Sequence, residues 1–449
     1  MPSRPMNVLL FVVDSLRADH MSCYGYNRLT TPYADRLATE GVLFENCYSA
    51  YIPTTPAYTT IFTGTDVMTH ELVSLTPKGP IADDIKLMPE LLREAGYASV
   101  RVGFGGDFFR GFDQNLKYDE GWYAWEDRPA RKAENLNGVA IPALEELVKS
   151  KQPWLLFMRH MDPHAPYLPP PPYDTIFYGT NPRKARLDIS PIRDFPNFRD
   201  FHLSWMPPGI KDANHTISQY DGALAYEDAC IQAILNRLDE LGQRENTLVI
   251  FTSDHGETLY DHGCYFDHHG LYEPTLHVPL IVRYPDGRGA GERVKGFVLH
   301  QDLLPSLIDM VANMKLTKVG EEARFDGKSW VPLMTRERST NYCDFYITEC
   351  TWMRKRGWRT PEWKLIEALE PDFHGKPPVE LYNLIEDPAE NDNLAETEPQ
   401  IAQTLKDRMT RWVDKRLKET GKPDPILQYE LGLEKKIGSI ATAQKLQNR

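Results

Sequence analysis

Two carboxylates stand where apolar runs end. Asp14 closes Val8-Leu9-Leu10-Phe11-Val12-Val13, and Asp254-His255-Gly256-Glu257 follows Leu248-Val249-Ile250-Phe251 after Thr252-Ser253. A divalent cation needs several oxygen or nitrogen ligands converging from separate elements. Asp14, Asp254 and His255 offer such a set, and the Thr54 hydroxyl is a fourth candidate. A lone Asp at the end of a strand more often caps a helix or makes a turn. Asp followed by His, Gly and Glu is less easily explained by capping. In an open α/β sheet, ligands and chemistry gather at strand ends. The chemistry implied is metal-assisted hydrolysis.

The elements that must carry these residues alternate in type. Residues 7–13 read as a fully buried strand, apolar without alternation. Residues 32–41 read as a helix with a glycine stop, and Val42-Leu43-Phe44 opens a second strand. Thr54 to Gly64 reads as a loop leading into a short helix. Leu87 to Gly96 and Ile141 to Lys149 read as helices. Strands are expected at Ala98 to Val102, Trp154 to Met158, Thr247 to Thr252 and Val278 to Val282, with a long helix from Tyr220 to Leu241. Residues 163–212 are proline-rich and irregular, which marks an excursion over a functional face. Such alternation predicts an α/β fold: a large, mainly parallel sheet sandwiched by helices.

After about residue 335 the pattern changes to short strands at Phe345 to Thr348, Trp363 to Ile366 and Glu380 to Leu384, then a helix from Pro399 to Lys418. The expected organisation is a catalytic α/β domain over 1–335, a small α+β subdomain over 336–420, and a polar extension over 421–449 suited to contacts in a homo-oligomer.

Composition bounds the function. A chain of 449 residues with 41% apolar and 26% charged content has room for two domains and a large core. The net charge of −13 without a Lys/Arg-rich run argues against nucleic acid and against a polybasic membrane anchor. Six scattered cysteines without CxxC spacing point to a reduced, intracellular protein. The N-terminal apolar run is too short for a signal peptide or a span. A cytoplasmic location is expected.

Several ordered motifs carry a resemblance. Asn7 to Arg17, Thr31-Pro32-Tyr33-Ala34-Asp35-Arg36-Leu37-Ala38, Gly41-Val42-Leu43-Phe44, Ser253 to Glu257, Leu271-Tyr272-Glu273 and Val278-Pro279-Leu280-Ile281 resemble the sulfatases of the alkaline phosphatase superfamily. Trp363 to Ile366 and Glu380 to Pro388 resemble that family's ending. The resemblance runs from about residue 7 to residue 395. It implies a hydrolase that binds one or two divalent ions (Ca, Mn or Zn) and acts on a small anionic ester.

One departure decides the expected chemistry. Sulfatases carry Cys or Ser, one residue, Pro, one residue, Arg, and oxidise that Cys or Ser to formylglycine. Here the segment is Thr54-Thr55-Pro56-Ala57-Tyr58, so Thr54 takes the nucleophile position and Tyr58 replaces the Arg as a substrate-side residue. Threonine is not a formylglycine precursor. Ser15 stands where many sulfatases have a further Asp ligand. The resemblance therefore implies a threonine alkoxide, as in related phosphodiesterases and phosphonate hydrolases, activated by metal coordination and forming a covalent phospho-threonine. A sulfate-ester hydrolase without formylglycine, and a non-catalytic metal-binding homologue, are the alternatives.

Five histidines fill two short loops. His160 and His164 lie in a stretch resembling the family segment that contacts the anionic group. His262, His268 and His269 lie where sulfatases often place a Lys, and neutral imidazoles there suit a second metal. His164 and His269 are read as catalytic, donating to a substrate oxygen or protonating the leaving group. His160 and His262 are read as substrate contacts, and His268 as a metal ligand. For each one, a loop hydrogen bond is the competing role. Arg17 reads equally as a structural ion-pair partner or a phosphate contact, and Asp221 and Asp228 read as a solvated or ion-paired helix face.

Overall fold

The computed structural model describes residues 5–428 apart from 77, 105–108, 119–131, 195–202, 204, 312–313, 352 and 373. Most of the expected 421–449 extension lies outside the described residues. Among the described residues, fourteen strands form two sheets. They are β1 (Asn7–Val13), β2 (Val42–Tyr48), β3 (Tyr51–Ile52), β4 (Ala98–Val102), β5 (Gln114–Leu116), β6 (Trp154–His160), β7 (Thr247–Ser253), β8 (His277–Arg283), β9 (Glu292–Val294), β10 (Val298–Leu299), β11 (Phe345–Cys350), β12 (Arg354–Arg359), β13 (Trp363–Ala368) and β14 (Val379–Asn383).

The large sheet runs β10-β2-β8-β7-β1-β6-β4-β5, with β9 also on β2. Its centre, β7-β1-β6-β4-β5, is parallel throughout, and only β8 runs antiparallel, against both β7 and β2. β1 explains why its sequence does not alternate. Leu9, Phe11 and Val13 enter one core, while Val8, Leu10 and Val12 enter the core on the opposite face. Both faces of a parallel sheet are covered, so both sets must be apolar.

One side is covered by helices Pro32–Glu40, Lys132–Ser150 and Ala213–Glu240, the other by Thr54–Thr63, Met88–Glu94 and Leu303–Met310. Register sets the functional edge. Val13 lies opposite both His160 and Ser253, so the C-terminal ends of β1, β6 and β7 finish at one level.

The smaller sheet runs β14-β13-β12-β11-β3 and packs on the Pro399–Thr420 helix. Its edge strand, Tyr51–Ile52, comes from the N-terminal part of the chain and pairs in parallel with β11. Two residues later the Thr54–Thr63 helix begins. The element bearing Thr54 is thus braced by both sheets, and the smaller sheet draws on sequence outside 336–420. Among the described residues, no helix is long and apolar enough to cross a membrane.

Candidate active site

Asp14, Asp254 and His255 meet at the shared edge of β1 and β7, with Asp14 and Asp254 fully buried. One ligand atom from each lies within 4.8 Å of the others. Local backbone explains the convergence. Ser15 is left-handed (φ 65°), a conformation strained for a side chain with a Cβ. That turn aims the Ser15 N–H at Asp254 Oδ1, 3.2 Å away, and ties the two strand ends together. Gly256 has no room for a side chain, since a Cβ there would meet the Pro274 carbonyl oxygen at 1.9 Å. The glycine of Asp-His-Gly-Glu is therefore a packing requirement.

Thr54 is the first residue of the ten-residue Thr54–Thr63 helix. Its Oγ1 lies 3.0 Å from His255 Nε2, and the same nitrogen is 3.4 Å from Asp254 Oδ2. His255 Nδ1 lies 2.9 Å from the Gly256 carbonyl oxygen, which can only accept, so Nδ1 carries the proton and Nε2 presents a lone pair. Three donors to a cation thus face one point beside a helix N-terminus, where the backbone favours negative charge.

The electrostatics fit a cation there. Burial pushes the Asp254 carboxyl well above its ordinary value, and the Asp14 charge adds to this. Two buried carboxylates side by side cannot both ionise cheaply without positive charge. Asp254 Oδ2 has no hydrogen-bond partner among the described residues. Asp14 opposes its own burial by pairing with Arg159, whose Nε is 3.0 Å from Oδ2 and whose second nitrogen also contacts it. Despite its burial, Asp14 is held well below the carboxylate range by Arg159 and the nearby imidazoles.

Arg159 escapes sequence reading because the apolar run of β6 ends at Met158. The strand continues through His160, so its last two side chains alternate faces. Arg159 turns to Asp14, and its guanidinium lies 4.9 Å from the centroid of the Tyr58 ring. A cation therefore stands beside the Thr54 helix although position 58 is Tyr. Tyr58 itself is fully buried against Phe109, Phe157 and Arg159. It supports Arg159 rather than opening onto a substrate cleft.

The histidines separate into groups. His268 stacks on His255 with ring centroids 4.6 Å apart, and His164 lies 5.4 Å from His268. Both belong to the Thr54 cluster, and burial pushes each down to about 4. Glu257, Asp267 and His268 form a second group of ligand atoms within 4.8 Å. Neither acid was given a role from sequence, since each reads as part of a loop. The loop holding His164 is fixed from behind by Lys132, whose Nζ donates to the carbonyls of Met161 (3.0 Å) and His164 (2.9 Å).

The other three sequence candidates turn elsewhere. His160 faces the opposite side of the sheet, with Nδ1 3.4 Å from Glu227 in the Ala213–Glu240 helix. His262 stacks on Tyr272 at 3.7 Å. His269 stacks on His374 of the C-terminal region at 4.6 Å. Arg17 pairs with Asp19 and Asp261, as a structural partner would. Asp221 and Asp228 are buried rather than solvated. The first pairs with His20 and Arg28, and the second accepts from the N–H groups of Tyr33 and Ala34 at the start of the Pro32–Glu40 helix.

The sulfatase family model matches residues 6–313, and the N-sulphoglucosamine sulphohydrolase C-terminal model matches 261–416. The chain belongs to the sulfatase family. Among its relatives, an N-acetylglucosamine-6-O-sulfatase of Bacteroides thetaiotaomicron is 25% identical over 91% of this chain and 87% of its own. A multifunctional alkaline phosphatase superfamily protein, PehA, of Trinickia caryophylli is 24% identical over 75% and 78%. In fold, the chain is similar to a phosphonate monoester hydrolase of Agrobacterium radiobacter, with a TM-score of 0.73 at 21% identity over 92% of this chain and 96% of that one. This sulfatase-family chain is a hydrolase by membership, and its α/β architecture is the one expected from sequence.

Proposed function

We propose that this protein hydrolyses phosphodiesters or phosphonate monoesters through Thr54, with Asp14, Asp254, His255 and the Thr54 oxygen as the ligands of a divalent cation. The observation that carries this reading is the 3.0 Å approach of Thr54 Oγ1 to His255 Nε2, beside two buried carboxylates. The cation, when bound, would lower the pKa of the Thr54 hydroxyl and offset the charge of the ester. The Thr54 O–H bond breaks as Oγ bonds to phosphorus in line with the departing oxygen; that oxygen's bond to phosphorus breaks and it leaves with a proton, so a phospho-threonine and an alcohol result. Water then cleaves the phospho-threonine and returns the hydroxyl.

His164 suits the second step. Its Nδ1 lies 2.8 Å from the Ala165 carbonyl oxygen and so bears a proton, and burial keeps the ring neutral. Its Nε2 therefore accepts a proton from water, rather than protonating a leaving group as expected from sequence. The Glu257–Asp267–His268 group supports room for a second cation clamping the other side of the reacting centre. His269 takes no part in this scheme. The six cysteines are free, which supports a reducing, cytoplasmic setting.

The sulfate-ester reading is second. It is favoured by the two matching family models and by the 6-O-sulfatase relative. A paired assay separates the two: aryl phosphate monoesters and diesters, an aryl phosphonate and an aryl sulfate, each with the wild type and Thr54→Ala. Faster turnover of the diester or phosphonate, lost in the variant, is the expected result. Faster sulfate turnover would reverse the ranking, and unchanged turnover in Thr54→Ala would remove the nucleophile.

A further inference from the structure

Outside the Thr54 centre, a different set of donors meets. Cys264 and His269 come from the loop before Leu271-Tyr272-Glu273, and His374 comes from the turn between β13 and β14. Cys264 Sγ and one ring nitrogen from each histidine lie within 4.8 Å of one another. Cys264 and His269 are buried, at 2% and 1% exposure, while His374 is half-buried. The rings of His269 and His374 are parallel within 7°.

We infer that Cys264, His269 and His374 form a soft-metal site, occupied by zinc, that pins the 261–270 loop to the C-terminal sheet. One thiolate and two imidazoles select zinc over calcium or magnesium, which prefer all-oxygen shells. Tetrahedral zinc, with bonds of about 2.0–2.3 Å, sets neighbouring ligand atoms roughly 3.3–3.8 Å apart. The three donors lie within 4.8 Å of one another, so a closure of at most about 1–1.5 Å brings them to that spacing. The partly exposed side of His374 gives the ion a path in and leaves the fourth position to water.

The surroundings are built to hold these donors. Asp372 Oδ1 accepts from the N–H groups of His374 (2.6 Å) and Lys376 (3.2 Å), shaping the turn that presents His374. Its other oxygen pairs with Lys355 of β12 at 2.5 Å. On the loop side, Asp267 Oδ2 lies 3.7 Å from His269 Nδ1, in the place of an outer carboxylate that orients a ligating imidazole. Glu349 of β11 accepts from the Gly270 N–H at 2.6 Å, fixing the loop where it leaves the site. His268, adjacent to His269, stacks on His255 of the Thr54 centre. An ion here thus braces the segment that carries His268 to the reacting groups.

The test uses the full chain, stripped with chelator and reloaded with Co²⁺ alone. A thiolate ligand gives a sulfur-to-cobalt charge-transfer band in the near ultraviolet, which an oxygen and imidazole site cannot give. The expected result is one such centre per chain, displaced by Zn²⁺. It is retained in Asp254→Asn and lost in Cys264→Ser. His374→Ala, a change on a half-buried turn, weakens cobalt affinity by more than the roughly 10- to 100-fold typical of an outer-shell partner. Its near-ultraviolet circular dichroism serves as the folding control. No charge-transfer band in the wild type, a band that survives Cys264→Ser, or undiminished affinity in folded His374→Ala would each overturn the site and leave a metal-free thiol–imidazole cluster.

Discussion

His255 holds Thr54 with one ring nitrogen and the backbone with the other: Nε2 lies 3.0 Å from Thr54 Oγ1, and Nδ1 lies 2.9 Å from the Gly256 carbonyl oxygen. The second contact fixes the tautomer, and the first then directs a lone pair at the hydroxyl side of the site. Alanine at position 54 would preserve the helix start and remove Oγ1 together with the Cγ2 methyl, whereas serine would remove the methyl alone. Thr54→Ala is expected to lower kcat by at least about a thousandfold, in the range seen for lost nucleophiles. Thr54→Ser, which keeps the oxygen, should retain a measurable fraction. Equal loss in both variants, by steady-state kinetics on the best ester, would argue that the threonine serves packing rather than attack.

Metal removal gives a stability readout independent of substrate. Asp14 and Asp254 are both fully buried, and each raises the cost of the other's charge. A divalent ion that binds only the folded chain stabilises it by about 2.7 kcal/mol at one hundred times Kd. Chelated protein should therefore melt at a lower temperature and regain stability with Ca²⁺, Mn²⁺ or Zn²⁺. In Asp254→Asn the gain from Ca²⁺ or Mn²⁺, which avoid thiolate sites, should shrink. No shift in wild-type Tm with any of the three ions would count against a cation at this edge.

The fold was more legible than the site. β1 and β7 announce themselves because burial on both faces demands uninterrupted apolar residues, and each leads directly into its carboxylate. β12 was missed because Arg354-Lys355-Arg356-Gly357-Trp358-Arg359 reads as a polar loop. Its charges are spent on long-range partners, Lys355 on Asp372 and Glu380, Arg356 on Glu367, Arg359 on Glu273, which no local pattern reveals. The Lys132–Ser150 helix begins before the expected Ile141, because Pro142 reads as a helix start yet sits inside it. Arg159 was hidden by closing β6 one turn of the pleat early. The division of the histidines depends on which way each loop folds back, and spacing alone does not carry that.

A buried imidazole away from the site sets an acid limit on stability. His70 Nδ1 accepts from the Leu72 N–H at 3.1 Å, and Nε2 lies 3.1 Å from Thr60 Oγ1, so the ring is held neutral. Burial pushes it from 6.5 down to about 3. With the folded value depressed, its contribution is fully present above pH 6.5 and is lost as the pH falls toward 3. His70→Gln has no such proton to take up. Its Tm deficit relative to the wild type is expected to narrow between pH 7 and pH 4, and a constant deficit across that range would contradict the assignment.

His160 and His164 are four residues apart and should behave oppositely. His160 is buried against Glu227 behind the sheet, whereas His164 lies beside His268. His160→Gln should cost stability while leaving kcat and KM of the surviving folded enzyme within about twofold, since it touches nothing that reacts. His164→Gln should lower kcat by roughly 100- to 10,000-fold, the usual span for a lost acid–base group, with little change in Tm. Kinetics and melting curves on the two variants settle both assignments, and the reverse pattern would place His160 in the reaction.

If Asp14 holds the proposed cation, Arg159 competes with that cation for it, and the competition can be measured. Its guanidinium already neutralises one buried carboxylate and rests over the Tyr58 ring. Breaking a buried ion pair from one side costs about 3–5 kcal/mol, because the partner charge is left uncompensated. Arg159→Met keeps much of the packing volume and removes the charge. In chelated protein it should lose stability in that range. With Mn²⁺ or Ca²⁺ present, the ion supplies the missing positive charge, so the loss should be smaller and the metal-induced rise in Tm larger than in the wild type. A loss of the same size with and without metal would mean that the cation and Asp14 do not interact, and Asp14 would then be a structural partner of Arg159 alone.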